Sequence, residues 1–168
     1  MLLAAPFVEA AGKRYAVVVG VKSYRSGQPL PELSYTENDA SQLAKTLENG
    51  GYQVTLMTQT ASTSDGNSVM APQSAFIRDQ LEAVLSNPNL KTDDMVLVAF
   101  AGHGVQFEYH TPDGTRTPRF YFCPGDADIK DVKTANDVTE RNRLIDLTEL
   151  YAGLKTEGLQ GGREVAAG

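Results

Sequence analysis

Met95-Val-Leu-Val-Ala-Phe-Ala-Gly-His-Gly104 is the stretch whose reading decides the fold. An unbroken apolar run of this length reads as a strand buried on both faces, the kind found inside a parallel sheet. The glycines flanking His103 are expected to turn the backbone at the strand's end and to keep space open around the imidazole. A histidine then stands at the carboxyl end of a buried strand, where open α/β sheets carry their sites. On spacing alone, a histidine that only caps a strand is an equal reading.

Working outward, Arg14 to Val21 is a second buried strand, rich in β-branched residues. A polar loop with two prolines follows, from Ser23 to Leu33. It lacks the Gly-Lys-Ser/Thr ending of a phosphate loop and the Gly-x-Gly-x-x-Gly spacing of a dinucleotide site. Ser34 and Glu37 have capping-box spacing. Ala40, Leu43, Ala44 and Leu47 form one apolar helical face, and Gly50-Gly51 ends it. Tyr52, Val54 and Leu56 alternate as a strand, which makes a strand–helix–strand unit with a right-handed crossover.

Thr58 to Ala71 reads as a polar loop. Pro72 and Ser74 open a second helix with Ile77, Leu81, Val84 and Leu85 on its face. Beyond His103, the alternation of Phe107 with Tyr109 and of Phe120 with Phe122, around Pro112-Asp113-Gly114, predicts a β-hairpin outside the main sheet. Asp126 to Arg143 is charged and aperiodic, a long surface loop. Asp146 and Glu149 repeat the capping-box spacing before Leu147, Leu150, Tyr151 and Leu154. The alternation of strands and helices predicts a doubly wound α/β sandwich with a mostly parallel central sheet. Its C-terminal strands are expected to be missing from this chain.

The 168 residues suit one domain. It is expected over residues 13–157, between a lead-in over 1–12 and a Gly-rich tail over 158–168. Fifteen basic against 21 acidic residues, without a basic cluster, argue against a nucleic-acid partner. No apolar run approaches the roughly 20 residues that span a bilayer. Val8-Glu9-Ala10 has the small-residue spacing of a leader cleavage site, but no positive residue precedes it, so a cytoplasmic location is favoured over export. The single cysteine, Cys123, excludes an internal disulfide. His110 beside the turn reads as a solvated residue.

Several segments together resemble the large-subunit part of caspase-like cysteine peptidases (peptidase family C14), most closely the prokaryotic metacaspase type. They are Tyr15-Ala-Val-Val-Val-Gly-Val21, Glu37-Asn-Asp-Ala40, Gly51-Tyr-Gln-Val54, Phe100-Ala-Gly-His-Gly104 and Tyr121-Phe-Cys-Pro-Gly-Asp-Ala-Asp128, in the family's order. The resemblance implies a caspase-like αβα sandwich, a peptide or protein substrate, and a Cys–His dyad in which His103 is the histidine. It matches Gly104 to the oxyanion site and Asp39 to an acidic residue of the pocket for the substrate side chain before the cut, which implies cleavage after Arg or Lys. Caspases that cut after Asp need arginines there; only Arg25 is near.

The chain departs from the family at the nucleophile. A spacing of about 50 residues after His103 falls near Gly153, inside the last helix, and 158–168 holds no cysteine. Cys123, 20 residues after His103 (123 − 103), occupies what is a structural segment in the family. The nucleophile is therefore expected outside this chain, and the chain alone is expected to be inactive. The alternative is a non-catalytic caspase-like module that binds partners. No cofactor is expected: Asp126 and Asp128 are carboxylates of the kind that hold Ca²⁺ in some metacaspases, but two carboxylates fall short of the 6–8 oxygens Ca²⁺ takes. An unrelated α/β hydrolase lacks its Gly-x-Ser-x-Gly.

Overall fold

The computed structural model describes residues 12–60 and 71–161, with side chains to Leu154. The expected lead-in up to residue 11, the loop over 61–70 and the last residues of the tail lie outside the described residues.

Strand β1 (Arg14–Gly20) is the centre of the molecule, with Ala16 to Val19 and Val21 at 0–2% exposure. It pairs in parallel with β2 (Gln53–Thr58) on one edge and β3 (Met95–Ala101) on the other. The sheet order is β2-β1-β3. Alternate residues of β1 serve opposite faces. Val17, Val19 and Val21 join Met57, Val98 and Phe100 under helix α2 (Ser74–Leu85), whose Ile77 and Leu81 face them. Ala16 and Val18 pack with Leu97 and Ala99 against Ala40 and Leu47 of helix α1 (Thr36–Asn49). Helices on both faces of a parallel sheet make the expected αβα sandwich.

β3 keeps its expected bounds but not its expected burial. Met95 is 52% exposed and the rest of the strand is half-buried. The cause is position: β3 is an edge strand among the described residues, so the apolar run is covered on one side by β1 only. Leu43 is likewise exposed, leaving Ala40, Ala44 and Leu47 as the buried stripe of α1.

The first capping box does not form. Tyr35 is the N-cap of α1, and Glu37 instead accepts the N–H (2.9 Å) and hydroxyl (2.5 Å) of Thr60, tying the helix start to the end of β2. The N-terminus of α2 is served from far along the chain. Asp126 Oδ1 accepts the Ser74 N–H at 2.8 Å. Arg143, which has left-handed backbone (φ 52°), lies 3.5 Å from the other oxygen of Asp126.

After His103 the chain forms the expected hairpin, β4 (Gly104–His110) and β5 (Arg116–Phe122), in a second, antiparallel sheet. A two-residue strand, β6 (Ile145–Asp146), pairs with β5 and was not expected. The segment between is more than a surface loop. Ala127, Ile129, Ala135 and Leu144 are buried with Tyr121 and Cys123 in a second core, and two 3-10 turns carry their own capping boxes (Thr134 with Asp137, Thr139 with Asn142). Helix α3 (Leu147–Gly161) begins as its spacing predicts: Asp146 Oδ1 accepts the N–H groups of Thr148 (2.8 Å) and Glu149 (3.0 Å). Glu149 does not close the box, because its carboxylate joins Asp146 on Arg119, each at 3.0 Å. The helix runs to Gly161, past Gly158 where the tail was expected to begin.

Candidate active site

Parallel pairing sends the carboxyl ends of β1, β2 and β3 to the same end of the sheet. There the loop that follows β1, residues 22–33, closes on itself through a hydrogen bond from Leu33 N–H to the Lys22 carbonyl at 2.9 Å. Gln59, just past β2, clamps its start. The Gln59 carbonyl oxygen accepts Lys22 N–H at 2.8 Å, and its amide donates to the Ser23 carbonyl at 2.6 Å.

His103, half-buried, is held by this loop from two directions. Its backbone N–H donates to the Tyr24 hydroxyl at 2.8 Å, and the Tyr24 ring lies 5.2 Å from the imidazole, tilted by 43°. Its Nε2 is 2.9 Å from the Pro31 carbonyl oxygen. A carbonyl only accepts, so this contact calls for hydrogen on Nε2, and in the neutral ring Nδ1 is then the basic nitrogen. The His103 carbonyl accepts the Cys123 N–H at 2.9 Å, which fixes the start of the hairpin beside it.

The two flanking glycines play different parts. The chain bends at Gly102 as expected, but neither glycine has positive φ, so the bend does not draw on left-handed backbone. Gly102 is needed for close approach: a Cβ there would sit 2.8 Å from the Phe122 ring and 3.1 Å from the Tyr24 hydroxyl. Gly104 is exposed and opens β4 opposite Phe122, and a Cβ there would meet only the Tyr121 carbonyl oxygen at 3.5 Å.

Asp39 lies on the exposed side of the first turn of α1. That turn packs tightly on the end of β1, since a Cβ on Gly20 would fall 2.8 Å from the Ala40 Cβ and 2.9 Å from the Thr36 carbonyl oxygen. His103 follows β3, and Asp39 lies on the helix turn packed on the end of the neighbouring strand β1; no described contact joins them.

Cys123 is fully buried, and burial pushes its thiol up to about 11, away from the thiolate a nucleophile needs. Burial and the neighbouring Cys123 also raise the Tyr24 hydroxyl, although its bond from the His103 N–H acts the other way. Asp126 caps α2, while Asp128 accepts a hydrogen bond from Gln28 at 3.0 Å and lies 3.8 Å from Arg25. Among the described residues no three His, Cys, Asp or Glu side chains converge as a metal site would require. His110 ends β4, exposed, with its Nε2 3.4 Å from Glu108. A separate cavity of about 470 Å³ lies behind the hairpin, lined by Tyr109, Arg119, Tyr121, Val138 and Leu144 among others, and shares no residue with the His103 site.

Tyr24 and Pro31 are the site residues that sequence reasoning missed. The signal that could have found Tyr24 is that it is the only aromatic in the polar loop. Pro31 contributes a backbone carbonyl, which every residue has, so no sequence signal marks it.

The family profile of the caspase domain, peptidase family C14, matches residues 13–150. The chain belongs to the caspase-domain peptidase family. The match runs from β1 into the start of α3, so it covers the parallel sheet, the His103 loop end and the hairpin together. Peptide or protein substrates follow from a cysteine-peptidase family of this type. No curated protein matches the sequence. Among the described residues no helix is long and apolar enough to cross a membrane.

Proposed function

We propose that this caspase domain is the histidine-bearing part of a cysteine endopeptidase of caspase/metacaspase type, which cuts peptide chains after Arg or Lys. The observation that carries the reading is the pair of contacts on His103. Pro31 holds Nε2–H at 2.9 Å and Tyr24 holds the backbone N–H at 2.8 Å. An imidazole anchored in this way presents Nδ1 as a positioned base at the carboxyl end of β3.

In the reaction, Nδ1 takes the proton of a cysteine thiol as the sulfur attacks the scissile carbonyl. It then returns that proton to the departing amine, and water completes hydrolysis of the acyl-enzyme. Pro31 stabilises the imidazolium between those steps by accepting from Nε2–H throughout. Backbone N–H groups near Gly104 receive the developing oxyanion, and the absence of a side chain there leaves room for the substrate backbone. Asp39, a carboxylate on an exposed helix turn, pairs with the guanidinium or ammonium of the residue before the cut. The buried Cys123 thiol, turned into the second core, supports a nucleophile other than Cys123.

The test is cleavage of Arg-, Lys- and Asp-terminated peptide reporters by the intact gene product, with His103→Ala and Asp39→Asn variants. The expected result is activity on Arg and Lys reporters, lost by His103→Ala and weakened selectively for them by Asp39→Asn. Cleavage after Asp alone, or activity that survives His103→Ala, refutes the reading.

A further inference from the structure

Gln28 makes a two-pronged contact with a segment 100 residues away. Its side-chain amide donates to Asp128 Oδ1 at 3.0 Å, and its side-chain oxygen accepts the Ile129 N–H at 2.8 Å. Gln28 sits between Tyr24 and Pro31 on the closed loop 22–33, directly after Gly27, whose left-handed backbone (φ +84°) turns the chain there. Tyr24 and Leu30 of the same loop pack on the second core, beside Ala127 and Ile129. The loop therefore rests on the 123–129 segment through apolar contacts and a long ion pair from Arg25 to Asp128 (3.8 Å), and is registered to it by a directional pair of hydrogen bonds at Gln28. Apolar contacts allow sliding, whereas a donor and an acceptor used together fix one placement.

We infer that Gln28 is a positioning residue for His103: its latch on Asp128 and Ile129 sets the Pro31 carbonyl against Nε2 and so selects the Nε2–H form of the imidazole. Gln28 touches neither the imidazole nor any reacting atom and acts through the loop. The inference deepens the peptidase reading, because it concerns the histidine that reading makes the acid and base. Its primary measurement, however, needs no activity.

The readout is the ¹⁵N spectrum of the imidazoles in the neutral form. The chain has two histidines, and His110, on the far end of the hairpin, serves as the internal reference. Wild type is expected to show His103 with hydrogen on Nε2. Gln28→Glu sets a carboxylate against Asp128 and breaks the latch. The Nδ1–H form of His103 should then rise about five-fold, the change that one ordinary hydrogen bond gives an equilibrium, while His110 is unmoved. Adding Asp128→Asn restores a donor opposite the new carboxylate, and the spectrum should return to that of wild type. A general loss of packing would not be rescued by this reversal of polarity. An unchanged His103 signal in Gln28→Glu overturns the inference, as does a shifted signal that Asp128→Asn fails to restore. If Gln28→Glu does not fold, the double variant carries the test, and a His103 signal differing from wild type there overturns it.

In the intact gene product the latch predicts a fall in kcat of about ten-fold or more for Gln28→Glu, with KM unchanged and the double variant restored. Cleavage that is indifferent to Gln28→Glu counts against the latch and leaves the peptidase reading standing. A tautomer shift in a protein that cleaves nothing sinks the peptidase reading and keeps the latch.

Discussion

The Tyr24 hydroxyl accepts the backbone N–H of His103 at 2.8 Å, across 79 positions of sequence, and the same side chain lies against the imidazole. One residue therefore serves both the main chain and the ring of the histidine. Tyr24→Phe separates the two services. The ring contact stays, but the N–H loses its acceptor in a half-buried place, which costs about 1–3 kcal/mol. Denaturant unfolding should show that loss, and amide exchange at His103 should quicken. Tyr24→Ala should cost more, because packing on the second core goes as well.

Gly102 and Gly104 look alike in sequence and should respond differently to a methyl group. At Gly102 the added Cβ meets the Phe122 ring at 2.8 Å, so Gly102→Ala forces that ring or the Tyr24 hydroxyl to move, at about 1–3 kcal/mol. At Gly104 the nearest neighbour is at 3.5 Å, an ordinary contact, so the stability change should stay within about 0.5 kcal/mol. Thermal unfolding of the two variants compares them directly.

Asp146 and Glu149 both hold Arg119, yet Asp146 also caps α3 through two backbone N–H groups. Asp146→Ala should cost about 1–2 kcal/mol, the range for losing a side-chain cap. Glu149, whose side chain is 73% exposed, should cost less than about 1 kcal/mol on truncation. Equal losses in chemical denaturation would show that the cap adds nothing.

Cys123 should resist iodoacetamide at neutral pH in the native protein and react only after unfolding. Folding raises its thiol from 9.0 to about 11. Below pH 9 both states keep the proton and this thiol adds no pH dependence. Between 9 and 11 the unfolded chain has released the proton while the native one holds it, so stability falls as pH rises, by roughly 2–3 kcal/mol in all. Burial raises the hydroxyls of Tyr24 and Tyr121 above 10.0 as well, which extends the loss in the same direction. A urea titration at stepped alkaline pH reads the slope, and Cys123→Ala should flatten its first part.

The elements that were legible in the sequence are those whose signal is local. Met95–Ala101 announces itself as an unbroken apolar run, and the hairpin by alternation around Pro112-Asp113-Gly114. What misled was local spacing with a distant answer. Ser34 and Glu37 have the right interval for a capping box, but Glu37 finds Thr60 across the sheet edge. The exposure of β3 depends on which strands flank it, which its own residues do not encode. Within the site, His103 was legible because histidine between glycines after an apolar run is distinctive. Its Pro31 partner was not, because a main-chain oxygen leaves no trace in the side-chain code. The 126–143 segment read as a surface loop because its buried residues, Ala127, Ile129 and Ala135, follow neither helical nor strand period.

The carboxylate that serves the start of α2 arrives 52 residues later, after β3 and the hairpin. At 12 residues α2 is near the length below which an isolated helix is marginal in water. Its first turn has no side-chain cap of its own. In time rather than in space, α2 is expected to be a late element, which pulsed hydrogen exchange during refolding would check. During synthesis or refolding water serves the first N–H of the helix until the chain has passed residue 126 and Asp126 can replace it. The onset of α2 protection is thereby tied to the docking of the hairpin beside His103.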